Sequence, residues 1–131
     1  MEEKRYTLRK AERVNSKTVI DKLFGGGNKS FASFPLRAVY MYTTPEESES
    51  EVSILISVPK KRFKRAVKRN LVKRQIREAY RKNKHILIDA LSLKEKRLIL
   101  AFIWIDNSIH SSSYIEERVK RILLHISDNL E

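Results

Sequence analysis

Between Pro59 and Lys84 the chain places thirteen Lys or Arg residues and a single acid, Glu78. Clustered cations of this kind do not cut bonds. Their chemistry is the neutralisation of phosphate charge, with release of the counterions that the phosphates had held. The whole chain of 131 residues has a formal net charge of +12, and this segment accounts for all of it, because the remainder carries fifteen basic and fifteen acidic residues. An evenly basic surface would serve solubility. Charge gathered into 26 residues is a docking element for a polyanion.

From Arg65 onward the segment has no Pro or Gly and is rich in Lys and Arg, so a helix is expected. At about 100° per residue it has two faces. Val72, Ile76, Ala79 and Tyr80 lie together, with Gln75 as a polar exception beside them. The opposite face carries Asn70, Lys73, Arg74, Arg77 and Arg81, with Arg69 at its edge. A merely solvated helix mixes signs in supporting Glu-to-Lys pairs. This one repels itself along its length, and a polyanion would offset the repulsion. Asn70, neutral and both donor and acceptor, suits a base edge or a 2′-hydroxyl. Lys60, Lys61, Arg62 and Lys64 carry the charge back to the preceding strand, where Pro59 frees the backbone from further pairing.

Other chemistries find little support. There is no Cys, hence no thiol nucleophile, thiolate metal site or disulfide. A nuclease working alone needs clustered carboxylates or a His-based acid–base pair. Asp21, Asp89, Asp106 and Asp128 fall in four separate elements. His85, expected to end the cationic helix, His110 and His125, expected on the exposed side of the last helix, lack ligand spacing. Glu78 reads as local charge compensation and Trp104 as core. Gly25, Gly26 and Gly27 stop a helix; no Lys-Ser/Thr follows in phosphate-loop spacing.

The elements that must position the basic helix follow from periodicity. Asn15 to Phe24 is a short first helix, capped by Asn15 or Ser16, with Val19, Ile20, Leu23 and Phe24 as its stripe. Phe31 to Thr43 is one or two strands around Pro35, in which Leu36, Ala38, Tyr40 and Tyr42 alternate with Arg37, Val39 and Met41. The acidic run Thr44 to Glu51 connects to a strand, Val52 to Val58. Leu98 to Ile105 is apolar on both faces, as a central strand should be. The last helix begins near Ser113, with Ser113 and Glu116 in capping-box spacing and Ile115, Val119, Ile122, Ile126 and Leu130 as its stripe. The reading is one α+β domain over residues 1–131: a four-stranded sheet with helices packed against it, in the order α-β-β-β-α-β-α. With no span of about twenty apolar residues and no apolar signal core, a cytoplasmic protein without a membrane partner is expected.

The stretch Ala66-Val67-Lys68-Arg69-Asn70-Leu71-Val72-Lys73-Arg74-Gln75-Ile76-Arg77-Glu78-Ala79-Tyr80, preceded by Val58-Pro59-Lys60-Lys61, resembles the signature of the protein component of bacterial ribonuclease P. Leu8-Arg9-Lys10 before the first helix is similar too. The chain departs from the family pattern at Leu71 and Pro59, in a longer glycine-free link from Lys61 to Ala66, and at Ile20, where an aromatic is common.

The resemblance implies a left-handed βαβ crossover and a partner, the catalytic RNA of ribonuclease P, which with magnesium removes the 5′ leader of precursor tRNA. No cofactor is then held by the protein alone, no protein active site is expected, and DNA is not a partner. The implied contacts to RNA are Arg69, Asn70, Lys73, Arg74 and Arg77; the charge pattern adds Lys60, Lys61 and Arg81 as expected RNA contacts. The implied leader cleft takes Ile20 and Phe24 from the first helix and Arg37 and Tyr40 from the sheet. The alternative is a ribosomal or other structural RNA-binding protein without a processing role. A helix-turn-helix DNA binder is disfavoured, since a strand and not a helix precedes the basic helix.

Overall fold

The computed structural model describes residues 17–26, 28–44 and 50–131, with backbone alone for residues 17–19. Alternation along the strands decides its layers. The elements are α1 (Lys17–Phe24), β1 (Lys29–Ser33), β2 (Leu36–Thr43), β3 (Val52–Ser57), α2 (Ala66–Asn83), α3 (His85–Leu93), β4 (Arg97–Trp104) and α4 (Ser112–Asp128). One sheet has the order β1-β2-β4-β3. The β1–β2 and β2–β4 pairs are antiparallel, whereas β3 and β4 are parallel neighbours joined through α2 and α3. Both faces of β4 are covered, which explains its unbroken apolar run.

On one face Leu36, Ala38 and Tyr40 of β2, Val52 and Ile54 of β3, and Leu98, Leu100, Phe102 and Trp104 of β4 form the main core with α2, α3 and α4. The helices bring Val72, Ile76, Ala79 and Tyr80, then Leu87 and Leu91, then Ile115, Val119, Ile122, Leu123 and Ile126. On the other face Leu23 of α1 packs on Ile99 and Ala101, flanked by Val39, Met41 and Leu55. The first helix and the other three therefore sit on opposite sides of the sheet. Gly26 ends α1 at φ +106°, where a side chain would be strained.

The region around Pro35, expected as one or two strands, is two, closed by a turn at Phe34-Pro35. Other expectations are overturned. His85 does not end the cationic helix but opens a separate one, α3, whose Leu87 and Leu91 are fully buried. That helix ends with Glu95 at φ 52° and with the Glu95 and Lys96 amides donating to the carbonyls of Ser92 and Leu91, a Schellman closure that usually uses Gly. The cap of α4 is Ser111, whose hydroxyl accepts from the Tyr114 amide; Ser113 is not the cap, and Glu116 accepts instead from Asn83 on α2 at 3.0 Å. His125 is not on the open side of α4: its ring stacks on Phe31 of β1 at 3.8 Å. Residues 8–10, the cap candidates Asn15 and Ser16, the Val19 side chain, Gly27 and residues 45–49 of the acidic run lie outside what is described.

Candidate nucleic-acid interface

The basic helix divides as its sequence pattern requires. Val72, Ile76, Ala79 and Tyr80 are buried in the main core. On the far side Asn70 and Arg74 are exposed and Lys73 and Arg77 half-exposed. Among the described residues no side chain of these four has a hydrogen-bonding or ionic partner. Gln75, the polar exception, is a clasp. Its amide donates to the His110 carbonyl and the Ser112 hydroxyl, both at 3.1 Å, and so ties α2 to the end of the β4–α4 segment and the first residue of α4.

Two expected ridge residues are engaged within the protein. Arg81 meets Glu78 through two hydrogen bonds, one of them Nε to Oε2 at 3.0 Å. Those bonds hold the Glu78 carboxyl below its ordinary pKa and raise that of Arg81. The lone acid of the segment thus compensates the last cation of the ridge. Arg69 turns back, its Nη1 donating to the carbonyls of Phe63 and Lys64 at 2.8 Å each.

Lys60 and Lys61 are exposed just beyond β3. Strand register places them at one end of the sheet. Ser57, the last residue of β3, pairs with Ile103, which pairs with Arg37 of β2, which pairs with Ala32 of β1. That row lies on the α1 face, and Arg37 and Ala32 are exposed on it. The α1 face is thus only partly covered: Leu23 closes its centre, Ile20 is half-exposed and Phe24 is 49% exposed. Tyr40 does not belong here. It is only 3% exposed and sits in the main core beneath the helices, one residue out of phase with Arg37 and Val39. Ser57 and Ile103 share Arg37's row, and nothing short of the pairing register could have nominated them.

A second group gathers at the same end of the sheet. His110 Nε2 lies 2.6 Å from Asp106 Oδ2, its ring stacks on Tyr114 at 4.9 Å and meets Trp104 at 5.8 Å, and Arg118 lies over Tyr114. The bond to His110 is the main reason that the Asp106 carboxyl titrates below its ordinary value. Sequence reading missed this pair because both residues lie in an irregular segment. Among the described residues no group of His, Cys, Asp and Glu gathers as metal ligands, and no helix is long and apolar enough to cross a membrane.

An α+β sheet that carries a cationic helix between two parallel strands, with a partly open second face ending at the same basic segment, defines a protein built to dock a polyanion. The chain belongs to the ribonuclease P protein family, whose model, described as Ribonuclease P, matches residues 8–101. It is 40% identical over 125 residues to a ribonuclease P protein component of Porphyromonas gingivalis, covering 95% of this chain and 90% of that one. It is 34% identical over 109 residues to the one of Chlorobaculum tepidum, covering 79% and 70%. Among solved structures it is similar to the ribonuclease P protein of Thermotoga maritima, with a TM-score of 0.70 at 19% identity over 88% of this chain and 97% of that one. It is also similar to that of Staphylococcus aureus, with a TM-score of 0.66 at 21% identity over 93% and 100%.

Proposed function

We propose that the chain acts as the protein subunit of ribonuclease P, docking the catalytic RNA on α2 and the β3–α2 segment and receiving the 5′ leader of precursor tRNA on the α1 face. The observation that carries this is the free cationic face of α2, on a helix whose other face is sealed in the core. Among the described residues, the side chains of Asn70, Lys73, Arg74 and Arg77 stand there without partners. No internal ion pair has to be broken when the polyanion arrives, and the rigid helix leaves only side-chain ordering to be offset.

The protein's part is to bind and orient. Lys73, Arg74 and Arg77 would meet phosphates, and Asn70 would read a 2′-hydroxyl or a base edge. Ile20, Phe24 and Arg37 would hold the single-stranded leader, with Phe24 as the stacking platform. Magnesium, held by the RNA, would supply the hydrolytic chemistry. Opposite sheet faces suit one protein to two stretches of RNA, and both converge on Lys60 and Lys61. A structural RNA-binding role would need only α2, and the half-exposed Phe24 beside the open sheet face has no place in it.

Reconstitution tests this reading. The protein is added to the catalytic RNA at low magnesium, and leader removal from precursor tRNA is followed. Stimulation of cleavage is the expected result. Tight RNA binding with no effect on leader removal would favour the structural role.

A further inference from the structure

The cations of the basic segment differ in what holds them. Lys73, Arg74 and Arg77 are turned outward, whereas Arg69 reaches back to two consecutive carbonyls, those of Phe63 and Lys64. These belong to the segment that leads from β3 into α2. That segment is fastened elsewhere too. Val58 and Phe63 are buried in the main core, the Arg62 amide donates to the Pro59 carbonyl at 3.0 Å, and the Arg62 guanidinium reaches Asn107 at 3.4 Å. Between the fasteners Lys60, Lys61 and Lys64 are exposed. The entry of α2 has no side-chain cap, since Arg65 occupies the cap position without making that bond. Arg69, one turn inside the helix, is what ties the entry down, and it does so by gripping the carbonyls that precede the helix.

We propose that Arg69 is a positioning residue for RNA docking: it locks the β3–α2 segment so that Lys60, Lys61 and Lys64 form a preset array for phosphates, and it takes no phosphate itself. A planar guanidinium is suited to this. One charged nitrogen can serve two adjacent carbonyls while the rest of the fork stays in plane, which an ammonium on a flexible stem does not reproduce. Without the grip, two carbonyls lose a charged donor and the segment gains freedom that binding must then remove.

The inference rests on the proposed RNA docking, so its test has one arm that needs no RNA. In the free protein, amide exchange of residues 60–66 is compared among wild type, Arg69→Ala and Arg69→Lys. Exchange should quicken in both variants while β4 and α4 stay as they are. Unchanged exchange there would remove the lock, whatever RNA does.

In the second arm, affinity for the catalytic RNA is measured for Lys61→Ala and Lys64→Ala, each in wild-type and Arg69→Ala backgrounds. Both losses should shrink by about threefold or more in the Arg69→Ala background, whereas the loss from Arg74→Ala should be equal in the two, as for uncoupled sites. Full additivity of Lys61 and Lys64 with Arg69, or wild-type affinity in Arg69→Lys, would overturn the proposal and make Arg69 an ordinary phosphate contact. If the wild-type protein bound no RNA, docking itself would fall, while the exchange arm would still report on the lock.

Discussion

Charge and neutrality separate the roles of neighbouring residues on the ridge. Arg74→Ala removes a free cation, so RNA affinity should fall and the log–log salt slope should flatten by about 0.7–0.9, one phosphate's worth of counterion release. Asn70→Ala removes no charge, so affinity should fall with the slope almost unchanged. Arg121→Ala is the control: its guanidinium pairs with Glu117 on α4, outside the basic segment, and such an exposed pair contributes little. A salt titration of RNA affinity for the three variants checks this, and equal flattening by Arg121→Ala and Arg74→Ala would mean diffuse binding.

Asp106 carries a pH prediction. Its folded pKa is lowered, chiefly by His110. The stability it contributes is therefore complete above the ordinary Asp value of about 4 and is lost as the pH falls through the lowered folded value. His110→Ala should be less stable than wild type at pH 6, and the gap between their melting temperatures should narrow toward pH 2. A gap that stayed constant across that range would detach Asp106 from His110.

Helix ends carry the sharpest statements at the scale of the element. Glu95 closes α3 in the left-handed region at φ 52°, at a cost of about 1–2 kcal/mol that Gly does not bear, partly offset by the greater freedom of Gly in the unfolded chain. Glu95→Gly should therefore stabilise the protein by roughly 0.5–1 kcal/mol, read as a higher melting temperature. At α4 the cap assignment separates two serines three residues or fewer from the helix start. Ser111→Ala removes the bond to the Tyr114 amide and should cost about 1 kcal/mol. Ser113→Ala, one residue inside the helix, should be nearly neutral in denaturant unfolding. The basic helix shows how much of an element periodicity contains: Val72, Ile76, Ala79 and Tyr80 are buried as their spacing requires. Why Gln75 sits beside them does not follow from spacing, because its partners, His110 and Ser112, are 35 and 37 residues away.

The whole molecule presents two surfaces on opposite sides of one sheet. The α1 face holds Phe24 and Arg37, and α2 lies across the sheet from it. Phe24→Ala should weaken precursor tRNA binding to the assembled ribonucleoprotein by about 1–3 kcal/mol, the worth of one stacked base, and leave mature tRNA nearly untouched. Equal losses for both ligands would take the leader away from Phe24. Combined with Arg74→Ala the effect should be additive, since among the described residues the two side chains share no partner.

Charge, period and local signature were enough to place the basic helix, its buried and exposed faces, the α+β class and the family resemblance, because each depends only on residue type and near spacing. The remainder waited on contacts distant in sequence. A one-residue phase along β2 puts Tyr40 in the main core and Arg37 on the opposite face, and only pairing with β4 and β1 fixes which face stays open. His125 stacks on Phe31 across 94 residues of chain. Arg69, equally basic in the sequence, is turned inward because two carbonyls of its own helix entry stand within reach. Residue types set which groups can meet phosphate; the packing of the chain decides which of them are left free to do so.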